Sequence, residues 1–116
     1  MEQSLNWIKI AATVAEFSWQ NNQMAIVEAD GKKLTLAQYK NQIYAFAHKC
    51  PHASGIMADG FIDEAGKVVC PLHRYKFSIE NGRNTSGEGY YLRTYPVKQD
   101  ETGVYIGIKP TSFFNF

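Results

Sequence analysis

Apolar residues in this chain fall into short runs that are separated by turn-forming residues. The β-branched run Met24–Ala29 ends at Asp30-Gly31, a dipeptide typical of two-residue hairpins, and a second extended run follows over residues 32–37. Lys40-Asn41 predicts another turn, into a strand over 43–47. Short strands joined by regular turn signals predict an all-β fold.

The remaining segments continue this pattern, apart from an ambiguous N-terminal stretch. Residues 5–17 begin as a strand and then fit a single helical turn equally well. Further on, a turn over 64–66 precedes a strand over 67–69, and an extended segment over 77–79 precedes a turn over 80–82. Residues 92–98 and 104–108 are predicted to form a final hairpin.

Length and composition limit the possible classes of protein. At 116 residues, the chain is expected to form one domain over 1–116. The net charge of +1 gives no indication of nucleic acid binding. No apolar run approaches the roughly 20 residues that span a bilayer, and the N-terminus lacks signal-peptide features. The chain has only two cysteines, and both belong to the metal site predicted below. A disulfide framework is therefore excluded, and a cytoplasmic location is expected.

The chemistry-bearing residues lie in two matched boxes. The first is Cys50-Pro51-His52, and the second is Cys70-Pro71-Leu72-His73. They contain the only two cysteines and two of the three histidines in the chain. This pattern predicts a metal site in which each box supplies one sulfur and one nitrogen ligand.

Two metal centres use this ligand set. Zinc takes tetrahedral mixtures of thiolate and imidazole, whereas a [2Fe-2S] cluster of Rieske type has two histidines in place of two cysteines on one iron. Zinc fingers usually group cysteines apart from histidines, but here they alternate, which favours the binuclear cluster. Structural zinc remains the alternative, and a chance grouping in the core is the third possibility.

The two boxes, with Gly55, Phe77 and Gly82, resemble those of the Rieske [2Fe-2S] ferredoxins. The resemblance covers about residues 5–109. It implies three antiparallel sheets arranged as a sandwich, with a cluster-binding part (about 48–91) inserted in a basal part (about 1–47 and 92–116). It also implies that Cys50 and Cys70 hold the inner iron of one cluster per chain, and that His52 and His73 hold the outer iron.

Some positions depart from the Rieske proteins of cytochrome bc complexes. Those relatives add a cysteine in each box to form a disulfide, where this chain has Gly55 and Leu72. They also have a serine that donates to a bridging sulfide, where this chain has Tyr75. We therefore expect a potential at the low end of the roughly −150 to +300 mV range. Tyr90 or Tyr91 stands where relatives cover the cluster with a proline-containing loop.

Three cations flank the predicted site. Lys49, Arg74 and Lys76 are interpreted as a docking face, near His52 and His73, for acidic redox partners. The alternative is that surface loops are simply charged. His48 is interpreted as a strand-end or surface histidine, because four ligands already fill the site.

The resemblance implies electron transfer without independent catalysis. The first hypothesis is a one-electron carrier between a flavin-type reductase and a terminal oxygenase. The second is a small redox subunit similar to that of NADH-dependent nitrite reductase. The third is a structural zinc domain.

The aromatic residues outside the boxes are assigned mainly to packing. Trp7, Trp19, Tyr44 and Phe46 are expected in the core. The apolar tail that contains Phe113, Phe114 and Phe116 is expected to fold back on a sheet or to contact a partner.

Overall fold

The computed structural model describes residues 5–51, 55–72, 74–85 and 89–109, and these form an all-β domain. The ten strands are β1 Asn6–Ala11, β2 Met24–Ala29, β3 Lys32–Tyr39, β4 Gln42–Ala47, β5 Phe61–Ile62, β6 Lys67–Val69, β7 Lys76–Ser78, β8 Thr94–Tyr95, β9 Val97–Asp100 and β10 Gly103–Ile108. Two short 3-10 helices, Val14–Glu16 and Met57–Asp59, complete the architecture. Neither these helices nor any other in the described ranges has the length and apolar character needed to cross a bilayer.

The strands form three antiparallel sheets, as the resemblance implied. A terminal sheet, with strand order β1-β10-β9, joins the two ends of the described chain. A central sheet has the order β2-β3-β4-β8, and a loop sheet has the order β5-β6-β7. All strand pairs are antiparallel. The division into a basal part and a cluster-binding part stays a prediction.

Both predicted two-residue turns are present in the central sheet. Ala29 pairs with Lys32 across Asp30 and Gly31, whose φ angles are 54° and 77°. Lys40 and Asn41, with φ angles of 50° and 65°, join β3 to β4. Two consecutive residues with positive φ give a turn whose twist matches that of the flanking strands. The turn sequences therefore set the register of the central sheet.

The predicted strand over 92–98 was wrong as a single element. The structure divides it at Pro96 into β8, which pairs with β4, and β9, which pairs with β10. Proline has no backbone N–H to donate to a ladder. Here its carbonyl oxygen accepts from the N–H of Gly107 at 2.9 Å while the chain passes from the central to the terminal sheet.

Two apolar clusters form the core. One lies between the terminal and central sheets and includes Leu34, Leu36 and Ile106. The other contains Met24 and Phe46 from the central sheet together with residues of the loop sheet and both cysteines. The second cluster thus packs the predicted metal loops directly against the central sheet.

The aromatic assignments to the core were only partly right. Phe46 is fully buried, whereas Trp19 and Tyr44 are half-buried. Trp7 is 39% exposed, and the ammonium group of Lys98 lies 4.9 Å from its ring centroid. A cation over the ring lets this tryptophan remain at the surface of the terminal sheet.

Gly82 provides a test of the packing beneath the loop sheet. It has φ of 78°, and a Cβ atom there would overlap the backbone carbonyl of Leu92. Gly31 has almost the same φ, 77°, but no atom lies within 4 Å of a Cβ placed there. We expect Gly31→Ala to lower the free energy of unfolding by about 1 kcal/mol and Gly82→Ala by about 3 kcal/mol or more. Chemical denaturation measures both, and equal losses would show that steric overlap at Gly82 contributes nothing.

Candidate metal centre

The first ligand loop, residues 50–55, follows β4 and is closed by its own backbone. The N–H of Cys50 donates to the carbonyl oxygen of Gly55 at 2.8 Å. Outside this bond, Lys49 pairs with Ile56, and the N–H of Met57 donates to the carbonyl oxygen of His48 at 2.9 Å. The residues on the two sides of the loop therefore form a short two-stranded ribbon that fixes the positions of Cys50 and Gly55.

The second ligand loop, residues 70–75, has the same closure. The N–H of Cys70 donates to the carbonyl oxygen of Tyr75 at 2.8 Å, and the neighbouring pair Val69–Lys76 belongs to β6 and β7. Arg74, with φ of 58°, makes the left-handed bend that returns the chain. In each loop a cysteine N–H donates to the carbonyl oxygen of the residue five positions later, so the two cysteines occupy equivalent positions at the starts of their loops.

The structure brings the two thiols together in the core. Cys50 is 4% exposed and Cys70 is fully buried, and both are free cysteines. Burial raises the pKa of Cys70 to about 11, and its hydrogen bond and charge interaction with Cys50 act in the same direction. The backbone N–H of Leu72 donates to the Cys70 sulfur and acts in the opposite direction.

Gly55 and Leu72 occupy neighbouring positions beside the thiols. A Cβ atom built on Gly55 would lie 3.1 Å from Cγ of Leu72 and 3.2 Å from Sγ of Cys70. These are the two positions at which the cytochrome bc relatives carry a disulfide. Here an exposed leucine covers a glycine, and this packing closes the space between the two loops without a covalent bond.

The structure does not describe the two histidine ligands predicted from the sequence. His52 and His73 lie outside the described ranges, so their role as ligands stays a prediction. The third histidine, His48, is half-buried just after β4, as its interpretation as a strand-end residue required. Its Nδ1 is buried and has no hydrogen-bond partner among the described residues. Burial lowers the pKa of His48, and the nearby Lys33 and Lys49 lower it further.

The two tyrosines considered as a cover for the site differ in position. The ring of Tyr90 lies against that of Tyr75, with centroids 5.6 Å apart and planes tilted by 35°. Tyr75 closes the second ligand loop, so Tyr90 lies beside that loop. Tyr91 is 65% exposed, pairs through its backbone with Arg83 and lines a cleft of about 580 Å³ that extends to Lys109.

The three cations predicted at the docking face have different surroundings. Lys49 and Arg74 are exposed at the roots of the two ligand loops. The ammonium group of Lys76 lies 3.6 Å from a carboxylate oxygen of Asp63. Asp63 offsets the charge of Lys76. The net positive charge of these three cations therefore comes from Lys49 and Arg74.

Sequence reasoning gave no role to Asp63. One of its carboxylate oxygens accepts from the N–H groups of Ala65 and Lys67, both at 3.0 Å. Burial raises its pKa, but these hydrogen bonds and Lys76 outweigh that effect and leave the pKa lowered overall. An aspartate three residues before Gly66 is a turn signal that could have indicated this structural role.

The donors that the structure describes suit a soft metal centre. Two cysteines lie together, without a disulfide, in a dry part of the core. A neutral thiol with a pKa of about 11 becomes a ligand when a metal displaces its proton. Two adjacent thiolates in this apolar setting would repel each other strongly without a cation between them. The arrangement therefore fits two sulfur ligands to a metal or an iron–sulfur cluster.

Comparison with known proteins points to one family. The family model of the Rieske [2Fe-2S] domain matches residues 6–96. The ferredoxin component of a naphthalene 1,2-dioxygenase system from Pseudomonas aeruginosa is 35% identical over 83 residues, which cover 71% of this chain and 79% of that protein.

Solved structures show the same fold. The ferredoxin of carbazole 1,9a-dioxygenase from Nocardioides aromaticivorans IC177 has a TM-score of 0.75 at 22% identity, over 90% of this chain and 99% of that one. A chain in the complex of reduced oxygenase and oxidized ferredoxin of carbazole 1,9a-dioxygenase gives 0.72 at 24% identity, over 91% and 97%. A chain described as a putative nitrite reductase small subunit gives 0.73 at 21% identity, over 87% and 97%.

Gly55→Ala tests whether cluster binding requires the space beside the Cys70 sulfur. The new methyl group must displace the side chain of Leu72 or the sulfur by a few tenths of an ångström. We expect lower iron and sulfide content per chain and faster loss of both, with the secondary structure unchanged by circular dichroism.

The double variant Gly55→Ala/Leu72→Ala separates the two contacts. It removes the leucine atoms but leaves the methyl group beside the sulfur, so we expect the defect to persist. Full recovery of iron and sulfide would show that crowding of Leu72, and not of Cys70, causes the loss.

Proposed function

This chain belongs to the Rieske [2Fe-2S] domain family, and from that premise we propose that it is a one-electron carrier that delivers electrons to a terminal oxygenase. The relative with 35% identity is the ferredoxin component of a dioxygenase system. A solved complex contains a ferredoxin of this fold together with its oxygenase. The cofactor of the family is a [2Fe-2S] cluster, so the structural zinc alternative is set aside. A flavin-type reductase is the electron donor that we propose.

The observation that carries the proposal is the meeting of two buried thiols at the roots of two matched loops. We propose that Cys50, His52, Cys70 and His73 hold the cluster. When bound, a [2Fe-2S] cluster of this type accepts and releases one electron. The buried cysteines supply the sulfur ligands from the core, and the histidines are assigned to the tips of the loops.

The residues around the proposed cluster site form a rigid, apolar environment. Each cysteine N–H is bonded within its own loop, and both loops pack on the fully buried Met57 and Phe77. A fixed, water-poor environment needs little rearrangement when the charge of the centre changes. We also propose a cytoplasmic location, because two cysteines that are used as cluster ligands form no disulfide framework of the kind typical of secreted domains.

The similarity to nitrite reductase small subunits bears on the fold alone. At 21% identity, that structure shares the architecture with the carbazole dioxygenase ferredoxin, so it does not separate the two functions. The dioxygenase ferredoxin component has higher identity over most of both chains, and we therefore favour transfer to an oxygenase.

The function and the ligand set can be tested on the purified chain. We expect two irons and two sulfides per chain and reversible one-electron reduction. His73→Cys replaces a nitrogen ligand by a thiolate and should lower the midpoint potential, toward the roughly −400 mV of all-cysteine clusters. His48→Asn is the matched control, because it changes the one histidine outside the proposed ligand set, and it should leave the potential near the wild-type value. A colourless protein that binds zinc would refute the proposal.

The docking face is tested by charge neutralisation. We propose that Lys49 and Arg74, with Lys76, steer an acidic partner toward the loop tips that carry His52 and His73. Lys49→Gln/Arg74→Gln should slow electron transfer to a terminal oxygenase about threefold to tenfold at low ionic strength, and much less in high salt.

The control removes two charges from the terminal sheet through Lys9→Gln/Lys98→Gln. Stopped-flow kinetics at several salt concentrations measure both variants against the same oxygenase, chosen as the one that accepts electrons fastest from the wild-type chain. Equal slowing by the two double variants would mean that total charge, and not a local face, controls the encounter.

A further inference from the structure

A side chain far away in sequence holds the segment between the two ligand loops. Asn22, which lies just before β2, donates from its Nδ2 to the carbonyl oxygens of Ala58 at 2.8 Å and Gly60 at 2.9 Å. Gln20 donates to the same Ala58 oxygen at 2.9 Å. These bonds join residues separated by 36 to 38 positions, so they tie the central sheet to the segment that links the two ligand loops.

This linking segment, residues 57–60, contacts the roots of both loops, and we call it the bracing segment. At its start, the N–H of Met57 donates to the carbonyl oxygen of His48, two residues before Cys50. At its end, Gly60 lies so close to Val69 that a Cβ atom would overlap the Val69 carbonyl oxygen. Val69 directly precedes Cys70. A shift of the bracing segment would therefore move one cysteine relative to the other.

Asn22 is itself held in place for this role. Its Oδ1 accepts from the backbone N–H of Met24 at 3.1 Å and from Nε2 of Gln20 at 3.3 Å. Met24 is fully buried in the same apolar cluster as both cysteines. The two ends of the amide thus perform different tasks, because one accepts from β2 and the other donates to the bracing segment. Only a primary amide offers both functions in this geometry.

We propose that Asn22 is a positioning residue for the cluster. By holding Ala58 and Gly60, it keeps the roots of the two ligand loops at a fixed separation and so sets the geometry of Cys50 and Cys70 toward the irons. The inference rests on the proposed ligand set. It adds a supporting residue, Asn22, that lies outside both boxes.

Two substitutions test the donor half of the amide. Asn22→Asp retains an oxygen for the N–H of Met24 but replaces the two donors by an acceptor, and Asn22→Ala removes both functions. We expect either variant to lose its cluster to an iron chelator roughly tenfold faster than the wild type, because two net hydrogen bonds change an equilibrium by about this factor or more. We also expect a changed electron paramagnetic resonance spectrum of the reduced protein, since the angles at the sulfur ligands alter.

Tyr39→Phe is the matched control. The hydroxyl of Tyr39 donates to the carbonyl oxygen of Glu64 at 2.8 Å, which also ties the central sheet to the loop sheet but does not touch the bracing segment. We expect this variant to unfold at a slightly lower temperature, with the wild-type spectrum and rate of cluster loss. If the Asn22 variants fail to fold, Gln20→Ala removes one part-buried bond to Ala58 and the exposed bond to Oδ1 of Asn22, and it should show a smaller increase in cluster loss.

The outcomes separate this inference from the proposed function. Cluster-loaded Asn22 variants with wild-type spectra and rates of loss, but lower unfolding temperatures like Tyr39→Phe, would overturn the positioning role and leave the electron-carrier proposal intact. If Gln20→Ala is the variant used, an unchanged rate of loss overturns the role in the same way. A wild-type chain that binds no iron or sulfide would overturn the proposed function and this inference with it.

Discussion

The site depends on one repeated interaction, the hydrogen bond from a cysteine N–H to the carbonyl five residues later. The bond from Cys50 to Gly55 and the bond from Cys70 to Tyr75 are both 2.8 Å long. Each bond closes a loop whose first residue is a cysteine that is buried in the core. Both loops have the same closure, and their two thiols interact with each other. In the proposed site, a metal centre between them would replace the protons that burial keeps on the sulfurs.

The loops need a rigid support, and the structure supplies it from several directions. The buried side chains of Met57 and Phe77 pack beneath the cysteines, together with Met24 and Phe46 of the central sheet. Asn22 adds hydrogen bonds from the start of the central sheet to the bracing segment between the loops. Apolar packing is not directional, so it keeps the cysteines buried but does not orient them. Hydrogen bonds to specific carbonyl oxygens are directional and fix the orientation of the loops. Both are needed to hold two separate loops in one geometry.

Much of the fold followed from local patterns. Asp30-Gly31 and Lys40-Asn41 adopt positive φ angles and produce the two predicted hairpins, because these residues tolerate the left-handed region. The strand over 92–98 was wrong as a single element, because the pairing partner changes at Pro96 from β4 to β10. Trp7 was also misassigned, because it stays 39% exposed on the terminal sheet, where the ammonium group of Lys98 lies over its ring. Period and composition carry no information about which sheet a short extended segment will join.

For the candidate site, too, some features followed from short sequence motifs and others only from the tertiary structure. The sequence alone determined the two boxes and the family that they resemble, and it predicted the ligand types, because such chemistry depends on a few residues at short spacing. Only the tertiary structure decided that Gly55 lies against Leu72 and Cys70, that Asp63 offsets Lys76 and that Asn22 reaches the bracing segment. These contacts join positions from 13 to 38 residues apart. No short-range pattern specifies them, because they arise when separate sheets pack and bring distant polar groups within hydrogen-bonding reach.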